Sequence, residues 1–210
     1  MKLLDTLAEQ RQLEDILERS KPVVPAPCRH LHYLLATPFR YGAPYPRGSR
    51  FRRSGFTPGV FYGSRTSATA IAETAFHRLR FFAESPGTPW PANPGEFTAF
   101  AVDLRTRAAL DLTAPPLVRD RQDWVHPTNY AACQALAEQA REVGVEVIRY
   151  ESARDPAGGS NLAVLACRAF ASSEPVAWQT WRLALSAAGA RAVCAFPEQR
   201  VEYTREVLGF

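Results

Sequence analysis

Short runs of apolar residues, separated by Gly, Pro and polar clusters, fill the second half of this chain in a pattern typical of β-strands. Five such runs predict strands at residues 145–150, 162–170, 176–185, 191–196 and 200–207. Shorter runs predict three more strands, at residues 59–63, 97–104 and 108–112. We therefore expect strands to form most of the core.

Three other segments show the apolar spacing of helices. Residues 2–20 carry a broken stripe of leucine and isoleucine, and a proline-rich connector follows at residues 21–27. A second helix is predicted at residues 67–83, and a third begins near Pro127 and stops at Gly144. The chain thus combines helices and strands.

The apolar stripe of the first helix needs a surface to pack on. It can fold back on the rest of the chain, join a second copy in a homodimer, or receive another protein, and we expect it to fold back. The chain is accordingly divided into an N-terminal helix with its connector, residues 1–37, and a main domain, residues 38–210.

Composition excludes several classes of protein. No run approaches the roughly 18 apolar residues that cross a bilayer, and charge appears too early for a signal peptide, so a cytoplasmic location is expected. The four cysteines, Cys28, Cys133, Cys167 and Cys194, are far apart and show no zinc-type spacing. We expect them to be reduced, small buried side chains, and we expect no metal site.

The basic residues are unevenly distributed. The net charge is +4, and 23 of the 25 basic residues are arginines. A GC-rich genome explains such a bias more simply than nucleic-acid binding, and no helix-turn-helix, zinc-finger or RNP-like pattern is present. A local cluster nevertheless calls for an anionic ligand or an acidic partner: Arg40, Arg47, Arg50, Arg52 and Arg53 fall within fourteen residues that contain no acid.

Residues 48–73, GSRFRRSGFTPGVFYGSRTSATAIAE, combine three kinds of side chain that suit a dinucleotide. Arg50 offers a planar fork of donors for phosphate oxygens. Tyr62 offers a ring face for stacking. Glu73 offers a carboxylate that can stabilise positive charge on a sugar carbon while a glycosidic bond breaks. No Rossmann or Walker phosphate loop is present, so NAD would be bound by other means.

Two interpretations of Glu73 remain open on residue pattern alone. On the predicted helix it shares a face of mostly small residues with His77, which leaves room for a ligand. It could instead be a surface glutamate that pairs with Arg80 or Arg65.

Ser152 lies in a second informative segment, IRYESARDPAGGSNLAV. A serine hydrolase would need a histidine base and a GxSxG elbow, and neither accompanies it. Its hydroxyl could instead bind a ligand ribose, orient Glu73, or satisfy backbone groups at the end of a strand. Together the two segments resemble the RES domain, named for Arg, Glu and Ser: Gly-x-Arg-aromatic, an apolar-Tyr-x-Ser strand end, a helix with Glu, then Tyr-x-Ser-x-Arg-Asp-Pro. The resemblance covers roughly residues 38–170. Phe51-Arg52 replaces the family's Trp-Asn, so Arg52 and Arg53 rival Arg50 as the key arginine.

The resemblance implies an α+β fold with a split, largely antiparallel β-sheet and flanking helices, similar to the ADP-ribosyltransferase fold. It implies that residues 38–210 form a catalytic domain that cleaves the nicotinamide–ribose bond of NAD. Arg50 would hold phosphate or ribose, Tyr62 would stack on nicotinamide, and Glu73 would stabilise an oxocarbenium-like transition state. Ser152 would contact the ribose or orient Glu73.

Water or inorganic phosphate would accept the ADP-ribosyl group, and Arg52 could recruit that phosphate. Transfer of ADP-ribose to a macromolecule is the alternative activity, and a nucleic-acid or regulatory binding module is the alternative class. The resemblance further implies a bacterial toxin with a cognate Xre-like antitoxin. It implies NAD as substrate, no separate cofactor and no direct nucleic-acid contact.

Overall fold

The computed structural model describes residues 6–44, 46, 48–55 and 57–209. Within these residues the chain forms five α-helices and eight strands. The helices are α1 Leu7–Ser20, α2 Tyr33–Arg40, α3 Ser67–Glu84, α4 Arg121–Trp124 and α5 Ala131–Glu142. The strands are β1 Phe61–Ser64, β2 Gly95–Ala101, β3 Ala109–Asp111, β4 Val147–Glu151, β5 Ser160–Val164, β6 Ala177–Ser186, β7 Gly189–Cys194 and β8 Gln199–Thr204.

The strands form two separate four-stranded sheets. The first sheet has the order β1-β5-β4-β3 and is antiparallel except for the parallel pair β3 and β4. The second sheet has the order β2-β6-β7-β8 and is antiparallel throughout. The expected α+β class with a split, largely antiparallel sheet is therefore confirmed.

The first sheet is covered on both faces. Ile148 and Ala163 face a core that includes Cys133 and Ala137 of α5. Val147 and Val164 face the opposite core, which includes Leu35 of α2. Alternation along β4 and β5 places successive side chains on opposite faces, so burial on both sides explains why Val147, Ile148, Ala163 and Val164 are all apolar.

The second sheet is covered by α3. The Thr66 side chain accepts a hydrogen bond from the Thr69 amide and caps the helix start. Four apolar residues of α3 then pack in one core with Trp181, Leu183 and other residues of β6 and β7; they are Ile71, Ala75, Phe76 and Leu79. Because α3 follows directly from β1, it connects the edge of the first sheet to the core of the second.

The N-terminal helix does not fold back as expected. Leu7, Ile16 and Leu17 of α1 are 74%, 53% and 50% exposed, and no residue of the helix is buried. A salt bridge of 2.8 Å between Glu18 and Arg40 links its end to α2. The expectation of docking is thus wrong for α1, since the stripe is short and interrupted by charge; residues 2–5 of the predicted helix lie outside the described residues.

Part of the predicted N-terminal segment contributes to the core. Cys28, Leu31 and Leu35 are buried and pack with Val164 of the first sheet. The division of the chain at residue 37 remains a prediction. One core cluster contains residues from both sides of it. Helix α2 itself has no predicted counterpart, because Pro38 lies inside it and prolines precede it.

Two of the cysteines are paired, which corrects the expectation that all four are reduced. Cys28 and Cys167 form a disulfide, with a Cα–Cα distance of 5.4 Å and a sequence separation of 139. The fold brings them together, and sequence spacing gives no sign of it. Cys133 and Cys194 are free and buried, as expected.

Element boundaries differ from the predictions where local turns intervene. The run at residues 162–170 is a strand only to Val164, and a 3-10 helix, Cys167–Ala169, follows. Helix α5 begins at Ala131 because the His126 ring accepts hydrogen bonds from the next turn's amides. Gly144 ends it with φ 77°, as predicted.

No helix among the described residues is long and apolar enough to cross a membrane.

Candidate active site

A cleft of about 660 Å³ opens where the end of β1, helix α3 and the loop before β1 meet. Arg50, Tyr62 and Glu73, three of the predicted site residues, line it together. Ser152 does not line the cleft and lies behind Glu73. Arg52 lies elsewhere, as described below.

Two buried donors hold the Glu73 carboxylate. Ser152 Oγ donates to Glu73 Oε1 at 2.6 Å, and Asn161 Nδ2 donates to the same oxygen at 2.7 Å. Ser152 and Asn161 are each only 4% exposed. Among the described residues, Oε2 has no hydrogen-bond partner, so the protein positions one oxygen of a cleft-lining carboxylate and leaves the other without a protein donor. Arg80 pairs with Glu84 and not with Glu73.

The turn after β4 determines the direction of the Ser152 hydroxyl. Its oxygen accepts the backbone N–H groups of Arg154 at 3.1 Å and Asp155 at 3.0 Å. With its acceptor sites used in this way, the hydroxyl proton is directed to Glu73. This geometry suits a residue that orients Glu73 and does not suit a nucleophile.

Asn161 owes its position to strand register. It lies opposite Ser64 on β1 and opposite Tyr150 on β4. Ser64 Oγ donates to Asn161 Oδ1 at 2.7 Å, which directs the amide nitrogen of Asn161 to Glu73. The Asn161 amide is thus a second orienting group, for which sequence analysis assigned no role.

Close packing also constrains the turn that carries Ser152. A Cβ atom at Gly159 would clash with the side chains of Thr69 on α3 and Asp155. Gly158 beside it adopts φ 69°, a conformation that favours glycine. The Gly158-Gly159 pair therefore lets the turn approach α3.

Arg50 lies at the mouth of the cleft beside an aromatic ring. Its Nη1 donates to the Trp124 carbonyl at 2.6 Å, and its guanidinium lies 4.8 Å from the centre of the Tyr130 ring. One nitrogen and one face of the guanidinium are thereby positioned by the protein. The remaining donors can meet an anion in the cleft.

Tyr62 joins the cleft wall to the arginine loop. Its hydroxyl accepts the Phe51 N–H at 2.9 Å and lies 2.9 Å from Ser49 Oγ. The residue is still 38% exposed and lines the cleft. Burial is the main reason that the pKa of the Tyr62 hydroxyl is raised, so it remains a neutral donor and acceptor.

The rival arginines point away from the cleft. Arg52 donates from Nη2 to the carbonyl oxygens of Tyr41 and Thr57, the latter at 2.6 Å. Arg53 forms a salt bridge with Glu138 at 2.5 Å. Of the three candidates, only Arg50 lines the cleft; Arg47 lies outside the described residues.

Arg154 and His77 also line the cleft, although no site role was predicted for them. The Arg154 guanidinium lies 3.8 Å from the centre of the Phe76 ring, and its Nη2 donates to the Pro127 carbonyl at 2.6 Å. His77 is exposed as a whole, and partial desolvation of its ring lowers the pKa of the imidazole below its ordinary value.

Tyr150 forms the buried back of the same cleft. Its ring packs edge-on against Phe51 at 4.8 Å between centres, which ties the arginine loop to β4. Burial raises the pKa of the Tyr150 hydroxyl well above its ordinary value.

Within the described ranges, no group of three or more His, Cys, Asp or Glu residues is arranged to hold a metal ion.

Comparison with known proteins identifies the family. The model of the RES domain matches residues 24–186, a segment that contains Arg50, Tyr62, Glu73 and Ser152. No curated protein matches the chain. Since the family model covers well over half of its length, the protein belongs to the RES domain family.

Proposed function

We propose that this protein degrades NAD by cleaving the glycosidic bond between nicotinamide and ribose. The RES family is associated with NAD-utilising toxins. The observation that carries the proposal is the Glu73 carboxylate, oriented by two buried donors in a cleft that also presents Arg50 and Tyr62. A carboxylate, a guanidinium and an aromatic ring in one cleft match the sugar, phosphate and pyridinium groups of NAD.

The two ends of the cleft would bind different parts of NAD. The free donors of Arg50 would bind a phosphate oxygen, while Trp124 and Tyr130 hold the guanidinium in place. The exposed face of Tyr62 would stack on the nicotinamide ring. We leave Arg52 out of the site because its donors are bound to backbone carbonyls.

Glu73 would act on the nicotinamide ribose. As the bond breaks, positive charge develops on the ribose C1′ and ring oxygen, and a fixed carboxylate stabilises that charge. Nicotinamide leaves as a neutral molecule, so the leaving group needs no general acid. One positioned carboxylate can then suffice where most glycoside hydrolases use two.

The biological role that fits this activity is that of a toxin, restrained by a cognate antitoxin. NAD loss would arrest the cell that produces the protein, so a partner that blocks the cleft would be required. Three arginines near the cleft mouth, Arg50, Arg78 and Arg154, would favour an acidic or carboxylate-tipped blocking element.

Incubation of the purified protein with NAD, followed by chromatography of the products, tests this proposal. We expect free nicotinamide and ADP-ribose or its phosphorylated form. Glu73→Gln should lower kcat by about 10²-fold or more, and Arg50→Ala should raise KM for NAD by about tenfold or more.

Matched controls come from the same loop and helix. Arg53→Ala removes an arginine that is paired with Glu138 outside the cleft, and Glu84→Gln removes a glutamate at the end of α3. Both should keep wild-type kinetics. If the Glu73 and Arg50 variants turned over NAD like these controls, the site would be misassigned. Label transferred from NAD to a protein band would favour ADP-ribosyl transfer over degradation.

A further inference from the structure

Hydrolysis of the nicotinamide–ribose bond, the proposed reaction on which this inference rests, releases one proton. Nicotinamide leaves with the electron pair of the C–N bond and becomes neutral. The water oxygen forms a bond to the ribose C1′ and loses a proton. Inorganic phosphate is already anionic at neutral pH and would attack without needing a base. A proton acceptor in the cleft would therefore indicate water as the acceptor.

His77 lies where such a proton acceptor is needed. It is one helical turn beyond Glu73 on α3, so the two side chains share a face with their Cβ atoms roughly 6 Å apart. Both residues line the cleft. In the described part of the chain, neither ring nitrogen of His77 has a protein hydrogen-bond partner, which leaves the imidazole available to a water molecule.

The surroundings of His77 favour its neutral form. His77 is exposed as a whole, but partial desolvation of its ring has the largest effect and lowers the pKa of the imidazole from its ordinary 6.5. The Glu73 carboxylate on the same helix raises this pKa. Arg154, from the turn after β4, and Arg80, from α3, lower it. At pH 7 the imidazole is therefore mostly unprotonated and able to accept a proton.

Glu73 is less suited to this second task. Its Oε1 already accepts two hydrogen bonds, and Oε2 is the oxygen left to stabilise the ribose. We propose that His77 is the general base that accepts the proton of the attacking water, with Glu73 kept for the charge on the sugar.

The test measures nicotinamide release in phosphate-free buffer as a function of pH, for the wild type and His77→Gln. We expect the variant to lose about 10²-fold in kcat at pH 7, with KM for NAD changed less than about threefold. Wild-type kcat should fall as pH drops below 6.5 and His77 becomes protonated, and this decline should be absent from the variant. Imidazole added to His77→Ala should restore part of the activity, because the site is open to solvent.

Several outcomes would overturn the inference. One is a His77→Gln variant with the kcat of the wild type. Another is a His77→Gln variant whose kcat is lower but still declines at acid pH, together with a His77→Ala variant that imidazole does not reactivate. His30, an exposed histidine shortly before α2, provides the matched control, and His30→Gln should behave as wild type. Thermal melting of each variant shows whether it folds, and His77→Asn replaces any variant that does not. A folded wild type that releases nicotinamide only after phosphate is added would also overturn the inference, whereas one that releases none with or without phosphate would refute the proposed function itself.

Discussion

Ser152 Oγ lies 2.6 Å from Glu73 Oε1 and joins two residues that are 79 positions apart in the chain. The hydroxyl oxygen also accepts two backbone N–H groups of its own turn. The turn therefore determines the position of the serine, and the serine determines the orientation of the carboxylate. Chemistry at Glu73 consequently depends on a residue that does not line the cleft.

Replacing Ser152 by Ala should lower kcat more than it changes substrate binding. The loss of one hydrogen bond to a charged group is worth about 1.5–3 kcal/mol, which corresponds to roughly 10- to 100-fold in kcat if the bond holds the reactive geometry. KM for NAD should change less than about threefold. Steady-state kinetics on Ser152→Ala and on the exposed control Ser186→Ala check this; equal kcat in both variants would contradict it.

Tyr62 should show separable effects of its ring and its hydroxyl. Tyr62→Phe keeps the ring but removes the acceptor of the Phe51 N–H, so we expect about 1 kcal/mol less stability and a moderately higher KM. Tyr62→Ala also removes the ring and should raise KM for NAD by a further tenfold or so. Thermal melting and kinetics test both variants, with the exposed Tyr33→Phe as control. A KM for Tyr62→Ala no higher than that of Tyr62→Phe would exclude stacking.

Replacing Arg52 should lower stability, whereas replacing Arg50 should weaken the binding of NAD. Arg52→Ala leaves the carbonyl oxygens of Tyr41 and Thr57 without their charged donor, so the free energy of unfolding should fall by about 1–3 kcal/mol. Its kcat/KM should remain within about twofold of wild type at temperatures where it is folded. Urea unfolding together with NAD kinetics checks this. A large rise in KM with unchanged stability would place Arg52 in the substrate site after all.

Gly159→Ala should disturb the active site from outside the cleft. The added methyl group would clash with Thr69 and Asp155, so the turn must move away from α3. We expect a loss of about 1–3 kcal/mol in stability and a lower kcat, because Ser152 moves with the turn. Gly87→Ala, where a Cβ meets nothing within 4 Å, is the matched control. Identical melting temperatures for the two variants would show that the turn accommodates the added methyl group without loss of stability.

The Cys28–Cys167 disulfide should stabilise the fold through the long chain segment that it closes. With a sequence separation of 139, its loss should cost about 2–5 kcal/mol. Urea unfolding with and without reductant measures this. The double variant Cys28→Ala, Cys167→Ala should unfold at a lower urea concentration and should not respond to reductant. If reductant also left the unfolding of the wild type unchanged, the two thiols would not be paired in solution.

Sequence pattern predicted most strands and the helix that carries Glu73, because their periodicity is local. It also brought Arg50, Tyr62 and Glu73 into one proposed site. What it missed depends on contacts between distant segments. Choosing Arg50 over Arg52 required knowing which way each side chain leaves the loop.

Other omissions had weaker or no local signals. Asn161 is a polar residue directly before the apolar run of strand β5, a weak signal that could have marked it. His77 was placed on the face of Glu73 without a role, because the pKa of its imidazole depends on desolvation and on charged neighbours that the fold brings near. The pairing of Cys28 with Cys167 leaves no trace in local sequence because it depends on the tertiary fold, whereas the exposure of α1 agrees with an apolar stripe that is short and interrupted by charge.

Helix α3 presents Glu73 from the side of the second sheet, while both of its orienting donors come from the first. The apolar face of α3 is buried against strands that include β6 and β7, and these strands follow every strand of the first sheet in the chain. A chain in which the first sheet has formed but these strands have not lacks the surface on which α3 packs, and its carboxylate has no fixed place beside Ser152. The position of the Glu73 carboxylate therefore requires both sheets to be folded.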